Sequence, residues 1–444
     1  MFLHGTSRIN DAGHLEIGGC DVTELKAEYG TPLYIVDEQL VRRRCREYMD
    51  AFAASGLGFQ VAYASKAFSV MAMCRLADEE GLSLDVVSDG ELYTALQAGF
   101  PAERIHFHGN NKTPDEIEMA LDARIGCFVV DNLVELELLQ AIAAEKNQTV
   151  NVLLRVTPGV EAHAHHAYAA TGQTDSKFGF DIGNGSAQEA VHLASGKANL
   201  KLLGVHSHIG SQIFETEGFQ LAVERVAGFA RKVKEELGIE FSVVNLGGGF
   251  GIRYVEGDTP LQVSEYVAAI TDAVKTHFAG IGSKLPEIWV EPGRSIVGDA
   301  GTTLYTIGTS KEIPGVRKYV AVDGGMTDNP RPALYESKYE AVLANRAGEQ
   351  PEETVSIAGK CCESGDMLIW DVELPKAESG DLLAVACTGA YNYSMASNYN
   401  RIRRPAVVFV QNGQSDLVVK RESHSDIIAN DIVPVRIAKQ PVTK

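Results

Sequence analysis

Three features of this chain could do chemistry together. Lys66 closes the apolar run Val61-Ala-Tyr-Ala-Ser65. A lysine at a strand end is either solvated or a desolvated amine, and a desolvated amine is a nucleophile toward carbonyl carbon. The run Gly247-Gly-Gly249-Phe-Gly251 follows Asn245-Leu246. Such glycines let backbone N–H groups turn toward an anion, or simply make a tight turn. Glu291-Pro-Gly-Arg294 sets a carboxylate beside a guanidinium. That pair is either a structural ion pair, or a carboxylate for a ring nitrogen with an arginine for an anion.

Other residues extend the set. His206 and His208 are two apart on a strand pattern and share a face, as do His106 and His108. An HxH on a barrel strand suits a metal-dependent hydrolase. That pattern is expected on the first strand, where this chain has a lysine, so no metal is expected. His163, His165 and His166 lie among small residues and read as loop. Ser211, in His208-Ile-Gly-Ser211, is a second small donor. Cys361-Cys362-Glu363-Ser-Gly-Asp366 offers a thiol that is either a buried structural cysteine or a proton donor beside a cofactor.

The elements that must position these residues form a rhythm. Strand patterns are predicted at 59–65, 83–88, 104–108, 127–131, 149–156, 200–209, 241–246 and 287–291, with helical patterns at 69–80, 90–98, 114–122, 132–145, 216–237 and 260–279 between them. Leu133, Leu136, Leu139, Ile142 and Ala143 give the helical spacing of one of these. Eight strand–helix units predict an α/β fold built on a (β/α)8 barrel of ~250 residues. A doubly wound sheet is the rival, but no GxGxxG follows a strand. Lys66, His106 and His108, Arg155, His206 and His208, the glycines, and Glu291 to Arg294 then all fall at C-terminal strand ends, where barrel active sites lie. Residues 1–36 carry short strand patterns at 14–17 and 33–36. Residues 298–444 carry strand patterns at 302–309, 317–322, 354–358, 381–386, 405–410 and 431–437, with one or two short helices. The expected division is a barrel over 37–297 and an all-β domain over 1–36 and 298–444.

Composition limits the function classes. The 444 residues hold 40 Lys plus Arg against 59 Asp plus Glu, a net charge of −19, which argues against nucleic acid and anionic membranes as partners. Seven cysteines, odd in number and without CxxC, argue against a disulfide scaffold or a zinc ribbon. There is no basic-then-apolar leader and no apolar run of ~18 residues, so a cytoplasmic protein is expected. Lysine, anion-cradling glycines with Ser211, and a strand-end glutamate together suit pyridoxal 5'-phosphate: an amine for its carbonyl, donors for its phosphate, and a carboxylate for its ring nitrogen.

The segments YASKAF, HSHIGSQ, NLGGGFG, EPGR, DNPRPALY, CESGD and GAYNYSMASNYN, in this order over nearly the whole chain, resemble the fold-type III pyridoxal-phosphate decarboxylases and, within them, the diaminopimelate decarboxylases. SKAF stands where many members have VKAN, and HSH where many have HCH. The resemblance implies that Lys66 carries the cofactor and His208 stacks on its ring. Ser211, Gly248 and Gly249 would bind phosphate, and Glu291 the ring nitrogen. Arg294 would serve phosphate and substrate. Arg331, Tyr335 and Glu363 would bind substrate, and Tyr391 both cofactor and substrate. Cys362 would be the proton donor, favoured over Cys361 by its neighbour Glu363. It further implies a head-to-tail homodimer in which Cys362 and Glu363 serve the partner's barrel. The implied reaction is release of CO2 from meso-diaminopimelate to give lysine. Decarboxylation of ornithine, arginine or lysine is an alternative, although those substrates lack the distal carboxylate for Arg331. An alanine-racemase-like enzyme would be expected to place an arginine, not Glu291, on the ring nitrogen.

Overall fold

The structure, a computed structural model, describes residues 1–160 and 175–437. His163, His165 and His166 lie outside the described residues. The eight predicted barrel strands form at Phe59–Ala64, Ser83–Val86, Ile105–Phe107, Cys127–Val130, Val150–Thr157, Leu200–His206, Val243–Asn245 and Glu287–Val290. Each pairs in parallel with the next, from the first pair through the fifth and sixth. The seventh pairs with the sixth and the eighth, and the eighth returns to the first, which closes the barrel. These strands are short apolar runs because side chains pointing in meet the barrel core and side chains pointing out meet helices. Outward-facing Leu84, Phe107, Val130 and Leu154 are all buried in the main core.

The helices begin where the local chemistry predicts. Asn132 accepts the Glu135 N–H to start the helix Leu133–Glu145, which buries Leu136, Leu139, Ile142 and Ala143. Thr113 and Glu116 form a reciprocal capping box on the helix Pro114–Ala123. Three longer helices lie outside the predicted rhythm, the first being Val22–Tyr29. Glu38–Ser55 precedes the first barrel strand and buries Leu40, Val41, Cys45, Tyr48 and Phe52. Ser186–Ser195 fills the stretch after the fifth strand.

A second sheet takes strands from both ends of the chain. Leu33–Asp37 lies between Gly301–Ile313, antiparallel to it, and Ala406–Gln411, parallel to it. Further strands are Arg317–Val322, Glu353–Ala358, Met367–Leu374, Leu382–Ala386 and Gln414–Val419. The predicted strand at 431–437 is wrong. Only a 3-10 turn, Val435–Ile437, forms there. The segment alternates apolar residues as a strand would, but Pro434 removes a donor, and Ile432 stands 88% exposed, buried against nothing that would hold a strand.

One buried ion pair braces the strand ends. The Lys112 ammonium lies 2.7 Å from Glu135 Oε1 and donates to the carbonyls of Gly109 and Val129 at 2.8 Å. Both side chains are almost fully shielded from water. Lys112 thereby closes the loop that follows the third strand. Removing one partner strands the other as a buried charge, at a cost of about 3–5 kcal/mol. Lys112→Met should therefore lower unfolding stability by that order, and Lys112→Met with Glu135→Leu should recover most of the loss. Chemical denaturation of the three proteins measures it.

Candidate active site

The strand ends converge on a cavity of about 400 Å³ lined by Lys66, His208, Ser211, Gly248, Gly249, Glu291, Arg294 and Tyr391. That volume lies in the range of small-molecule sites. A second cavity of about 690 Å³ shares Lys66, Ser211, Arg294 and Tyr391 with the first and adds Arg331 and Tyr335. Ten of the twelve expected site residues thus line these two adjoining cavities. Cys362 and Glu363 line neither cavity, and both are exposed.

Lys66 sits in the 3-10 turn Ser65–Ala67 that ends the first strand. The glycine loop leaves the seventh strand beside it. A Cβ on Gly248 would stand 2.2 Å from the Glu291 carbonyl oxygen, and one on Gly249 2.3 Å from the Gly210 carbonyl oxygen. Only bare backbone fits there. Arg294 donates from Nη2 to Ser211 Oγ at 2.9 Å and from Nη1 to the Tyr254 hydroxyl at 2.6 Å. Its buried Nε has no partner. Ser211, the bare glycine backbone and Arg294 thus make a cradle of donors at one end of the cavity, suited to an anion.

The other end is acidic. Glu291 is buried at the end of the eighth strand. Its Oε1 accepts from Asn245 Nδ2 at 2.6 Å and lies 2.9 Å from His108 Nε2, and its Oε2 lies 3.0 Å from His206 Nε2. Burial alone would raise its pKa. The attraction and hydrogen bonds of His108 and His206 outweigh that and hold the carboxyl below its ordinary range. Burial pulls His206 down to about 4, against the pull of Glu291, which its Nε2 faces. His108 moves the other way: burial lowers it, but Asp85 and Glu291 together raise it. Asp85, in turn, is pushed up to about 6, chiefly by burial. His208 lies well below its ordinary value, through burial and then the nearby Lys66 and Arg155 charges. Its neutral Nδ1 accepts the Gly248 N–H at 3.2 Å.

Tyr391 completes the wall from the second sheet. It has a left-handed φ of 63°, uncommon for a bulky side chain. Its N–H donates to the Ala67 carbonyl at 2.8 Å, one residue beyond Lys66. Its ring lies between Arg294 and Arg331, at 4.8 and 5.2 Å from the guanidinium carbons.

Some of this was not predicted. His106 is not a site residue: it stacks on Trp289 at 4.4 Å inside the barrel, and burial lowers it to about 3. Asp85 and Asn245 were read only as parts of strands. A charged or amide residue at the last inward position of an apolar strand was the signal available for both. His108, His206 and Glu291 could also hold a cation, since their ligand atoms lie within 4.8 Å of one another.

Known proteins share this sequence and this fold. The family described as "Pyridoxal-dependent decarboxylase, pyridoxal binding domain" matches residues 38–298. A diaminopimelate decarboxylase of Bacillus subtilis (strain 168) is 62% identical over 97% of this chain and 98% of its own. The chain belongs to the diaminopimelate decarboxylase family. Another member, from Halalkalibacterium halodurans, is 61% identical over 99% of this chain and 100% of its own. The crystal structure of the diaminopimelate decarboxylase of M. jannaschii with L-lysine is similar to this one, with a TM-score of 0.92 at 38% identity over 98% of this chain and 100% of that one. A lysine/ornithine decarboxylase of Vibrio vulnificus shares the fold, with a TM-score of 0.75 at 23% identity over 88% of this chain and 97% of that one.

The residues present fit pyridoxal phosphate: an amine at Lys66, the donor cradle, and a clamped carboxylate across the cavity. Gly248→Ala should raise the dissociation constant of the cofactor at least about 10-fold, because the added carbon overpacks the loop against Glu291. Titrating apoprotein with the cofactor by absorbance checks this.

Proposed function

We infer that this protein, with pyridoxal 5'-phosphate as cofactor, releases CO2 from meso-2,6-diaminopimelate to give L-lysine. The observation that carries the reading is that the two cavities share Lys66, Ser211, Arg294 and Tyr391 as lining. A cofactor-type site thereby opens directly onto Arg331 and Tyr335. When bound, the cofactor supplies a carbonyl for a primary amine and a cationic ring that takes up the electron pair left by CO2.

The chain's own residues then have these roles. Lys66 holds the cofactor and gives way to the substrate's α-amine. Glu291 keeps the ring nitrogen protonated, and the histidines and Asn245 keep Glu291 ionised. Neutral His208 covers a ring face without opposing its charge. Ser211, Gly248, Gly249 and Arg294 bind the phosphate, and Tyr391 lies between cofactor and substrate. Arg331 and Tyr335 hold the distal carboxylate, and Glu363 the distal amine. A substrate with an amino acid at each end needs both kinds of partner, whereas ornithine, arginine and lysine leave Arg331 unpaired. Cys362 returns a proton from Sγ to the carbon that has lost CO2.

Cys362 and Glu363 are exposed in one chain and absent from its cavities, which supports a homodimer in which they complete the partner's site. Of the seven cysteines only Cys362 is exposed. Burial, reinforced by Asp366, pushes the Cys361 thiol up to about 12, which favours its neighbour as donor. A cytoplasmic location fits a free catalytic thiol. No helix among the described residues is long and apolar enough to cross a membrane. The barrel over 37–297 and the β domain over 1–36 and 298–444 are the division we propose.

The test is CO2 release from each diaminopimelate isomer, lysine, ornithine and arginine. Only the meso isomer should react well; preference for ornithine or lysine would overturn the substrate assignment. Cys362→Ala should keep the cofactor absorbance and lose turnover by roughly 10²–10⁴-fold. Lys66→Ala should lose both activity and the borohydride-reducible linkage. A yellow, reducible preparation without stoichiometric metal separates this reading from a metal-dependent one.

A further inference from the structure

Asp366 has no place in the chemistry above, yet it is the most heavily used side chain of its loop. It is 3% exposed. Its Oδ2 accepts the Cys361 N–H at 2.7 Å, and its Oδ1 accepts the Met326 N–H at 2.6 Å. Its backbone closes the same loop: the Asp366 N–H donates to the Glu363 carbonyl at 3.1 Å, and the Gly359 N–H donates to the Asp366 carbonyl at 2.9 Å. Two glycines make room for the carboxylate. A Cβ on Gly359 would stand 2.2 Å from it, and one on Gly325 2.5 Å.

The two N–H groups belong to different working segments. Cys361 immediately precedes Cys362 and Glu363. Met326 lies in the turn that leads through Asn329 and Pro330 to Arg331 and Tyr335; the Asn329 N–H donates to the Gly325 carbonyl at 2.9 Å. The Lys360 N–H adds a bond to the Gly324 carbonyl at 2.9 Å, so the segments run side by side. On the far side of the cysteine loop, Asn400 Oδ1 accepts the Cys362 N–H at 2.7 Å. Asn400 reaches it from a left-handed backbone, φ 53°.

We propose that Asp366 is a positioning residue that fixes the Cys362 thiol and the Arg331–Tyr335 segment in one register, with Asn400 holding the outer side of the cysteine loop. One carboxylate with two oxygens is the shortest rigid link between two backbone donors. The corresponding amide would point N–H at N–H on one side and leave a buried donor unpaired. The inference rests on Cys362 being the proton donor.

The experiment is a double-mutant cycle on the holoenzyme. Asp366→Asn should lower kcat roughly 10- to 100-fold and raise KM, with the cofactor absorbance unchanged. In a Cys362→Ala background the same substitution should still raise KM, but lower kcat by less than about 3-fold further, because the thiol it aims is gone. A kcat loss of equal size in both backgrounds would mean a general structural role and overturn the proposal. Unchanged turnover in Cys362→Ala alone would overturn the donor assignment and this inference with it, and that failure shows before Asp366 is touched. If Asp366→Asn does not fold, Asn400→Gly serves. It keeps the left-handed turn and removes only the acceptor, and the kcat loss should again vanish in the Cys362→Ala background.

Discussion

Burying a carboxylate costs several kcal/mol unless its neighbours compensate, and Glu291 is buried at the top of a closed barrel. The compensation comes from three strands. His108 follows the third, His206 ends the sixth and Asn245 ends the seventh. None of these residues is near another in sequence, and only barrel closure brings them to one carboxylate. The register of the parallel strands is therefore an electrostatic requirement as well as a packing one. Sliding the sixth strand by one residue would turn His206 outward and uncover the charge.

The donor cradle stands at the opposite end of the same cavity. Its selectivity comes from what is missing: Gly248 and Gly249 leave no side chain between backbone and guest. Arg294 is held from two sides, by Ser211 and Tyr254, and Tyr391 covers it from the second sheet. The strained backbone of Tyr391 is sustained by its bond to Ala67, so the two sheets meet beside the lysine. The barrel thus supplies both the donor cradle and the clamped carboxylate. The chain beyond the barrel supplies Arg331, Tyr335 and Tyr391 to the adjoining cavity.

Much of this was legible in the sequence. Parallel barrel strands are short apolar runs with polar residues at one end, so both the elements and the site residues announce themselves. Asp85 and Asn245 were missed because a single polar residue ending an apolar run is ordinary until the neighbouring strands are known. The helix Glu38–Ser55 was missed because it stands before the first strand and outside the alternation. The strand expected at 431–437 failed for a tertiary reason: its apolar side chains, Ile432, Val433, Val435 and Ile437, are all exposed, and alternation makes a strand only where one face is buried. The different surroundings of Cys361 and Cys362 were also hidden, since adjacent residues share composition and differ only in which way the backbone turns them.

The strand Leu33–Asp37 has a consequence in time. It leaves a ribosome well before its two neighbours, Gly301–Leu304 and Ala406–Val410. Until they emerge, its edges have nothing to pair with. The barrel strands lie between them in the chain, and each pairs with a close successor except where the ring closes. During synthesis the barrel can therefore gather first, with the early strand waiting beside it. The wall that carries Tyr391 forms only when Ala406–Val410 reaches back to pair with Leu33–Asp37. The site is then finished only after the barrel's own strands have all been made.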